Sequence, residues 1–170
     1  VCGVERQQIS AYHIGFILGP CMNATGRLDT AKRALELLQS REREEAVRIA
    51  AELKNLNDIR KEMTVKGTEE AVAVIEKEGM QKDRVLVVYL PEVHESLAGI
   101  IAGRIREKYG KPAFVLTRGE EGVKGSGRSV ESYHMYEELT GCKEFFTKYG
   151  GHKMAAGLSM REGDVDAFRK

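Results

Sequence analysis

Neither glycine nor proline occurs between Leu28 and Lys66, the longest stretch of this chain without a helix breaker. Within it apolar residues recur at Ala31, Ala34, Leu35 and Leu38, then at Ala46, Ile49, Ala50, Leu53, Leu56, Ile59 and Met63. Steps of three and four place them on one face of a helix. Lys32, Arg33, Arg41, Arg43, Arg48, Lys54, Arg60 and Lys61 alternate with seven acidic residues on the other side. The pattern predicts one helix over 30–64, capped by Asp29 or Thr30. At 1.5 Å per residue it would run roughly 50 Å, more than a small domain needs. A solvated charged face explains the charges. The length favours a rigid strut joining two domains, and a coiled coil would share the pattern.

The flanking segments differ in kind. Residues 1–29 carry a short apolar run, His13 to Pro20, then Asn23-Ala-Thr-Gly-Arg27, which reads as a turn. Twenty-odd residues cannot bury a core alone, so this segment is expected to belong to a neighbouring domain. Residues 67–170 read as a small α/β domain. A helix is predicted over 69–77, a strand over 84–90, a helix from a Ser96 cap to Tyr109 and a second strand over 113–117. Strand, helix and strand with a short return predict a parallel pair. A third strand is expected over 123–130, with glycines 125 and 127 marking bulges or close backbone approach. Helices near 136–138 and 142–149, a fourth strand over 155–160 and a helix from Asp164 complete the reading. The fold class expected is α/β, a small mixed sheet flanked by helices and preceded by one long connecting helix.

Composition narrows the function classes. Lys plus Arg number 27 and Asp plus Glu 26, a net charge of +1 that offers no bulk basic excess for nucleic acid. No uncharged apolar run approaches membrane-spanning length, so no membrane partner is expected. Three scattered cysteines, Cys2, Cys21 and Cys142, argue for a reducing compartment, hence the cytoplasm. The chain opens on Val1 without a signal-peptide pattern and ends inside a short helix, so it is expected to be a piece of something longer. The five aspartates and four histidines do not cluster, and no metal site is expected within the chain. Four glycine-rich segments carry hydrogen-bond donors instead. Gly125-Ser-Gly-Arg-Ser129 sets Gly127 beside Arg128, whose planar fork fits phosphate, with Ser126 and Ser129 as hydroxyl donors. Gly150 and Gly151 precede His152 and can expose backbone N–H groups to an anion. His94 to Gly99 lies at a strand end and helix start, the ligand position of an α/β layer, and Arg104 follows on the helix. The fourth segment, Asn23 to Leu28, carries Asn23 and Arg27. Each segment alone is most simply a turn. Together they point to a site for a phosphate-bearing ligand.

These segments resemble a known family. Gly19-Pro-Cys-Met-Asn-Ala-Thr-Gly-Arg-Leu28, Leu56-Asn-Asp-Ile-Arg-Lys-Glu62, His94 to Ile105, Lys124-Gly-Ser-Gly-Arg-Ser129 and Lys148-Tyr-Gly-Gly-His-Lys-Met-Ala-Ala-Gly-Leu158 resemble, in order, motifs of RecJ-type single-stranded-DNA-specific exonucleases of the DHH phosphoesterase superfamily. Cys21 stands where many members have Arg, and Ser96 where many have Gly. The D-H-H signature is absent from these residues. The resemblance implies that 1–29 closes an N-terminal catalytic DHH domain, 30–66 is a connecting helix and 67–170 is a DHH-associated substrate-binding domain. It implies a 5′-to-3′ exonuclease of DNA repair and recombination, with Mn2+ or Mg2+ in the DHH domain and none in this piece, which would be inactive alone. Single-stranded DNA and that DHH domain are the expected partners. Asn23, Arg27, Arg104, Ser126, Arg128, Ser129 and His152 would contact the strand. Gly127, Gly150 and Gly151 would allow close approach, and His94 would orient the strand or assist at the scissile group.

Two other readings compete. A phosphodiesterase for short oligonucleotides or cyclic dinucleotides would lack the long breaker-free stretch. A stand-alone RNA-binding or oligomerisation module would have no use for the Gly26-Arg-Leu28 segment.

Overall fold

A computed structural model describes residues 1–4, 9–28 and 31–170, without the side chains of Arg27 and Leu28. The chain divides into two compact units, Val1–Met63 and Thr64–Lys170. Among the described residues no helix is long and apolar enough to cross a membrane.

The first unit is helical. α1 (Ala11–His13) passes through a π-turn over Ile14–Leu18 into α2 (Gly19–Leu28). The turn expected at Asn23–Arg27 is therefore helix. α3 (Lys32–Gln39) is followed by α4 (Arg43–Lys77), which continues into the second unit. The single helix expected over 30–64 is thus broken, at Ser40, whose ψ of 130° is extended. A serine hydroxyl competes for the backbone, and here Ser40 Oγ donates to the Glu42 carbonyl at 3.2 Å. The break lets α3 turn back on α4. Arg33, 19 residues from Glu52 in sequence, donates to its carboxylate from Nε at 2.8 Å and also to Glu36 at 2.6 Å. Ala24, Ile49 and Leu53 are buried, whereas Leu35, Leu38, Ile59 and Met63 of the expected apolar face are exposed. The cap expected at Asp29 or Thr30 lies outside the described residues.

α4 also runs through Gly67, where the sequence predicted a boundary. That glycine is there for packing. A Cβ at position 67 would meet Ile101 Cδ1 at 2.6 Å, and Ile101 is fully buried. The separate helix expected over 69–77 is the end of α4, and its Ala71 and Ile75 enter the core of the second unit.

That unit holds a five-stranded sheet in the order β1-β2-β3-β5-β4. β1 (Leu86–Tyr89) leads into α5 (Glu95–Tyr109) and returns as β2 (Ala113–Gly119), which pairs parallel with β1 as expected. β2 turns into antiparallel β3 (Gly122–Arg128). α6 (Met135–Gly141) and a 3-10 turn over Lys143–Phe145 precede β4 (Phe146–His152). β5 (Ala155–Met160) then inserts between β3 and β4, antiparallel to both, and α7 (Val165–Phe168) follows. In place of the helix expected over 142–149 stand the 3-10 turn and the first half of an edge strand, held by hydrogen bonds to β5.

The sheet has two unlike faces, because strand residues alternate in direction. One row runs Leu86, Ala113, Arg128, Ala155, His152 across all five strands. The parallel rows on that face are Val88, Val115, Ser126, Gly157, Gly150, and Thr117, Lys124, Ser159, Lys148. α5 packs across β2 and β3 on that face and, with the end of α4, buries Leu86, Val88, Ala113 and Val115 with Leu97, Ile101 and Ile105. The opposite face packs Phe114, Leu116, Ala156, Leu158 and Met160 against Met135, Leu139 and Val165. What remains without helix cover is the first face over β5 and β4, beside the α5-flanked strand β3, where side chains are small, polar or absent.

Candidate functional site

The uncovered face is a shelf beside the start of α5. His94 caps that helix: Nδ1 accepts the Ser96 N–H at 3.3 Å and stands 2.7 Å from its hydroxyl. The expected cap, Ser96, lies inside the helix instead. With Nδ1 accepting, the neutral ring carries its proton on Nε2. His94 is exposed.

The floor of the shelf is glycine. At Gly150 a Cβ would meet nothing within 4 Å, and neighbouring Gly157 is exposed. The middle row is thus a bare strip of backbone across β5 and β4. On one side of it stand Lys124, Ser159 and Lys148, on the other Arg128, Ala155 and His152. Lys148 and His152 are four residues apart on β4, so the two flanks are roughly 13 Å apart. A cleft of about 330 Å³ opens here, lined among others by Glu95, Ser96, Lys124, Ser126, Lys148 and Ser159.

Each cation is placed differently. Arg128 lies along α5, where a Cβ at Gly99 would come within 2.7 Å of its Nη2 and one at Gly103 within 4.0 Å of its Cγ. Its Nη1 donates to the Gly127 carbonyl at 2.8 Å. His152 shares the Ala155 row with Arg128, and its Nδ1 accepts the Met154 N–H at 3.2 Å. Lys148 is exposed. Lys124 is paired with Glu95 at 2.7 Å, and that hydrogen-bonded carboxylate raises its pKa above the ordinary lysine value. Such an arrangement can hold an extended polyanion against bare backbone by charge-assisted hydrogen bonds.

Of the residues singled out in the sequence, the fold brings Ser126, Arg128, Gly150 and His152 onto this face, with the His94 cap at the start of α5. Others it places elsewhere. Ser129 is fully buried and its hydroxyl donates to the Tyr133 carbonyl at 2.7 Å, a bond that closes the turn after β3. The missing side chain of Gly127 points into the opposite core, 2.5 Å from Met135 Sδ and Phe114 Cε1. Gly151 likewise faces its partner strand rather than the shelf, as its pairing with Ala156 requires. Arg104 is exposed but stands roughly 140° round α5 from Gly99, away from the flank that receives Arg128. Asn23 is exposed on α2 in the first unit, and the side chain of Arg27 lies outside the described residues. Sequence reasoning missed Glu95, Gly99, Lys148, Gly157 and Ser159. The same-parity sets 124, 126, 128 and 148, 150, 152 were the signal. Among the described residues no three His, Cys, Asp or Glu side chains group so as to hold a metal ion.

Comparison with known proteins gives a consistent picture. Residues 82–170 match the DHHA1 domain family. Over 158 residues, 92% of this chain, it is 37% identical to the single-stranded-DNA-specific exonuclease RecJ of Bacillus subtilis. Over 100% of its length it is 36% identical to the single-stranded-DNA-specific exonuclease RecJ of Escherichia coli. The chain spans 20% and 31% of the lengths of those two relatives. A crystal structure of RecJ from Thermus thermophilus in complex with Mg2+ superposes with a TM-score of 0.83 at 32% identity, covering 94% of this chain and 24% of that one. A crystal structure of an exonuclease RecJ bound to manganese gives 0.82 at 31% identity, covering 94% and 39%.

Proposed function

The chain belongs to the DHHA1 domain family, and on that footing we propose that it is the single-strand-binding portion of a longer metal-dependent 5′-to-3′ exonuclease of DNA repair and recombination in the cytoplasm. The single observation that supports this most is the alignment of Lys124, Arg128, Lys148 and His152 on one face of the sheet, where α5 flanks β3 and leaves β5 and β4 uncovered. Phosphates of a single strand would lie over Gly150 and Gly157, between the two cationic flanks. Arg128 supplies a planar fork of donors, held in direction by the Gly99–Gly103 flank of α5. His94 offers Nε2–H at the start of α5, where backbone N–H groups also favour an anion. Mn2+ or Mg2+ would be held by a catalytic DHH domain outside these residues, and the chain alone is expected to bind without cutting.

Fluorescence anisotropy with a labelled oligothymidylate tests the reading. Affinity is expected to fall linearly on a log–log plot as salt rises, by about 0.7 decade per decade of salt for each phosphate contacted. Three contacts would give a slope near −2. An affinity indifferent to salt would contradict the proposal.

A further inference from the structure

Within that proposed role, one carboxylate stands among the cations of the shelf. Glu95 opens the first turn of α5, where the helix dipole favours a carboxylate, and it lines the same cleft as Ser96, Ser126, Lys148 and Ser159. Its Oε2 sits 2.7 Å from Lys124 Nζ. Both side chains are close to half exposed, so the pair is open to exchange with a ligand from solvent. Lys124 and Lys148 flank Ser159 in one row, about 10 Å apart by strand spacing. A phosphate settling on that row must therefore displace the Glu95 carboxylate or do without Lys124.

We infer that Glu95 is a specificity-determining residue of the shelf: it competes with phosphate for Lys124 and so confines strand capture to Lys148 and the Arg128–His152 row. A strand is then held by fewer contacts than the cations on the face would allow. The consequence is a weaker grip, suited to a polymer that must slide over the site. Elsewhere in this unit Glu92 pairs with Arg118 at 3.2 Å, but Arg118 alternates with Thr117 and so points to the other face of the sheet. Glu92 therefore provides a carboxylate whose loss also releases an arginine, off the shelf.

The test uses the whole chain and the same oligothymidylate titration. Glu95→Gln is expected to tighten binding about fivefold at low salt and to steepen the salt slope by about 0.7, one added phosphate contact. Glu95→Ser is expected to do the same, which guards against a folding defect in either variant. Glu92→Gln changes net charge equally and is expected to leave the slope unchanged. In a Lys124→Met background, Glu95→Gln is expected to lose its effect on the slope. A Glu95→Gln slope equal to that of the parent, or a Glu92→Gln effect equal to that of Glu95→Gln, would overturn the inference while leaving the shelf intact. A parent chain with no salt-dependent binding would end both.

Discussion

Replacing Arg128 with alanine is expected to weaken single-strand binding by ten- to a hundredfold, since a hydrogen bond to a charged partner contributes about 1.5–3 kcal/mol. The position of the side chain is what makes the effect large. Arg128 stands on one flank of the glycine strip, in the row that ends in His152, and its guanidinium lies against α5 where Gly99 has no side chain. The fork is thus oriented before any ligand arrives, and little conformational freedom is lost on binding. The loss should be uniform across base sequences, because phosphate contacts carry no sequence information. The salt slope should also become shallower by about 0.7. Arg128→Lys keeps the charge without the fork and is expected to fall between the two. Anisotropy titrations at two salt concentrations measure all three effects.

Gly151→Ala is expected to destabilise the second unit by about 3 kcal/mol, at the upper end for backbone strain and overpacking. A Cβ there would lie 2.4 Å from the Ala155 carbonyl oxygen and 2.6 Å from Ala156 Cα. Both are backbone atoms of the paired strand and cannot swing aside. The residue also has a φ of 156°, outside the usual range of L side chains. Because β4 is an edge strand with β5 as its neighbour, it would peel before the rest of the sheet yields. Lys148 and His152 would leave with it, so binding should fall along with stability. Gly150→Ala provides the contrast: a Cβ there meets nothing, and stability should stay within about 0.5 kcal/mol. Urea unfolding of the two variants separates these outcomes, and equal destabilisation by both would contradict the register of β4 on β5.

The strand–helix–strand unit was legible because its signals are local. Leu86 to Tyr89 is a continuous apolar run, and Gly110, at a φ of 64°, ends α5 where a left-handed residue is needed. The errors fall where distant residues decide. Ser40 breaks a helix with neither glycine nor proline, because Arg33 finds Glu52 across the turn. Gly67 fails to break one, because Ile101 fills the space beside it. Phe146 to His152 lacks a clear alternation and becomes a strand through pairing with β5. That last error hid part of the site. Once 142–149 is read as helix, Lys148 and His152 no longer share a face with Arg128. The donors Arg128 and His152 could be found from residue type alone, whereas Glu95, Gly99 and Gly157 acquire meaning only from the neighbours the fold gives them. Ser129 and Gly127 looked like ligand residues by their setting among glycines, and the fold uses both for packing.

On the proposed reading, one face of one sheet receives the phosphates of a single strand. Backbone amide chemical shifts recorded during titration with a 5′-phosphorylated oligothymidylate test it residue by residue. The expected perturbations fall on 124–128, 148–152, 157–159 and the first turn of α5, and spare Val85, Tyr133 and Leu139 behind the sheet. Perturbations centred on those last residues, with Arg128 and His152 unmoved, would contradict the account.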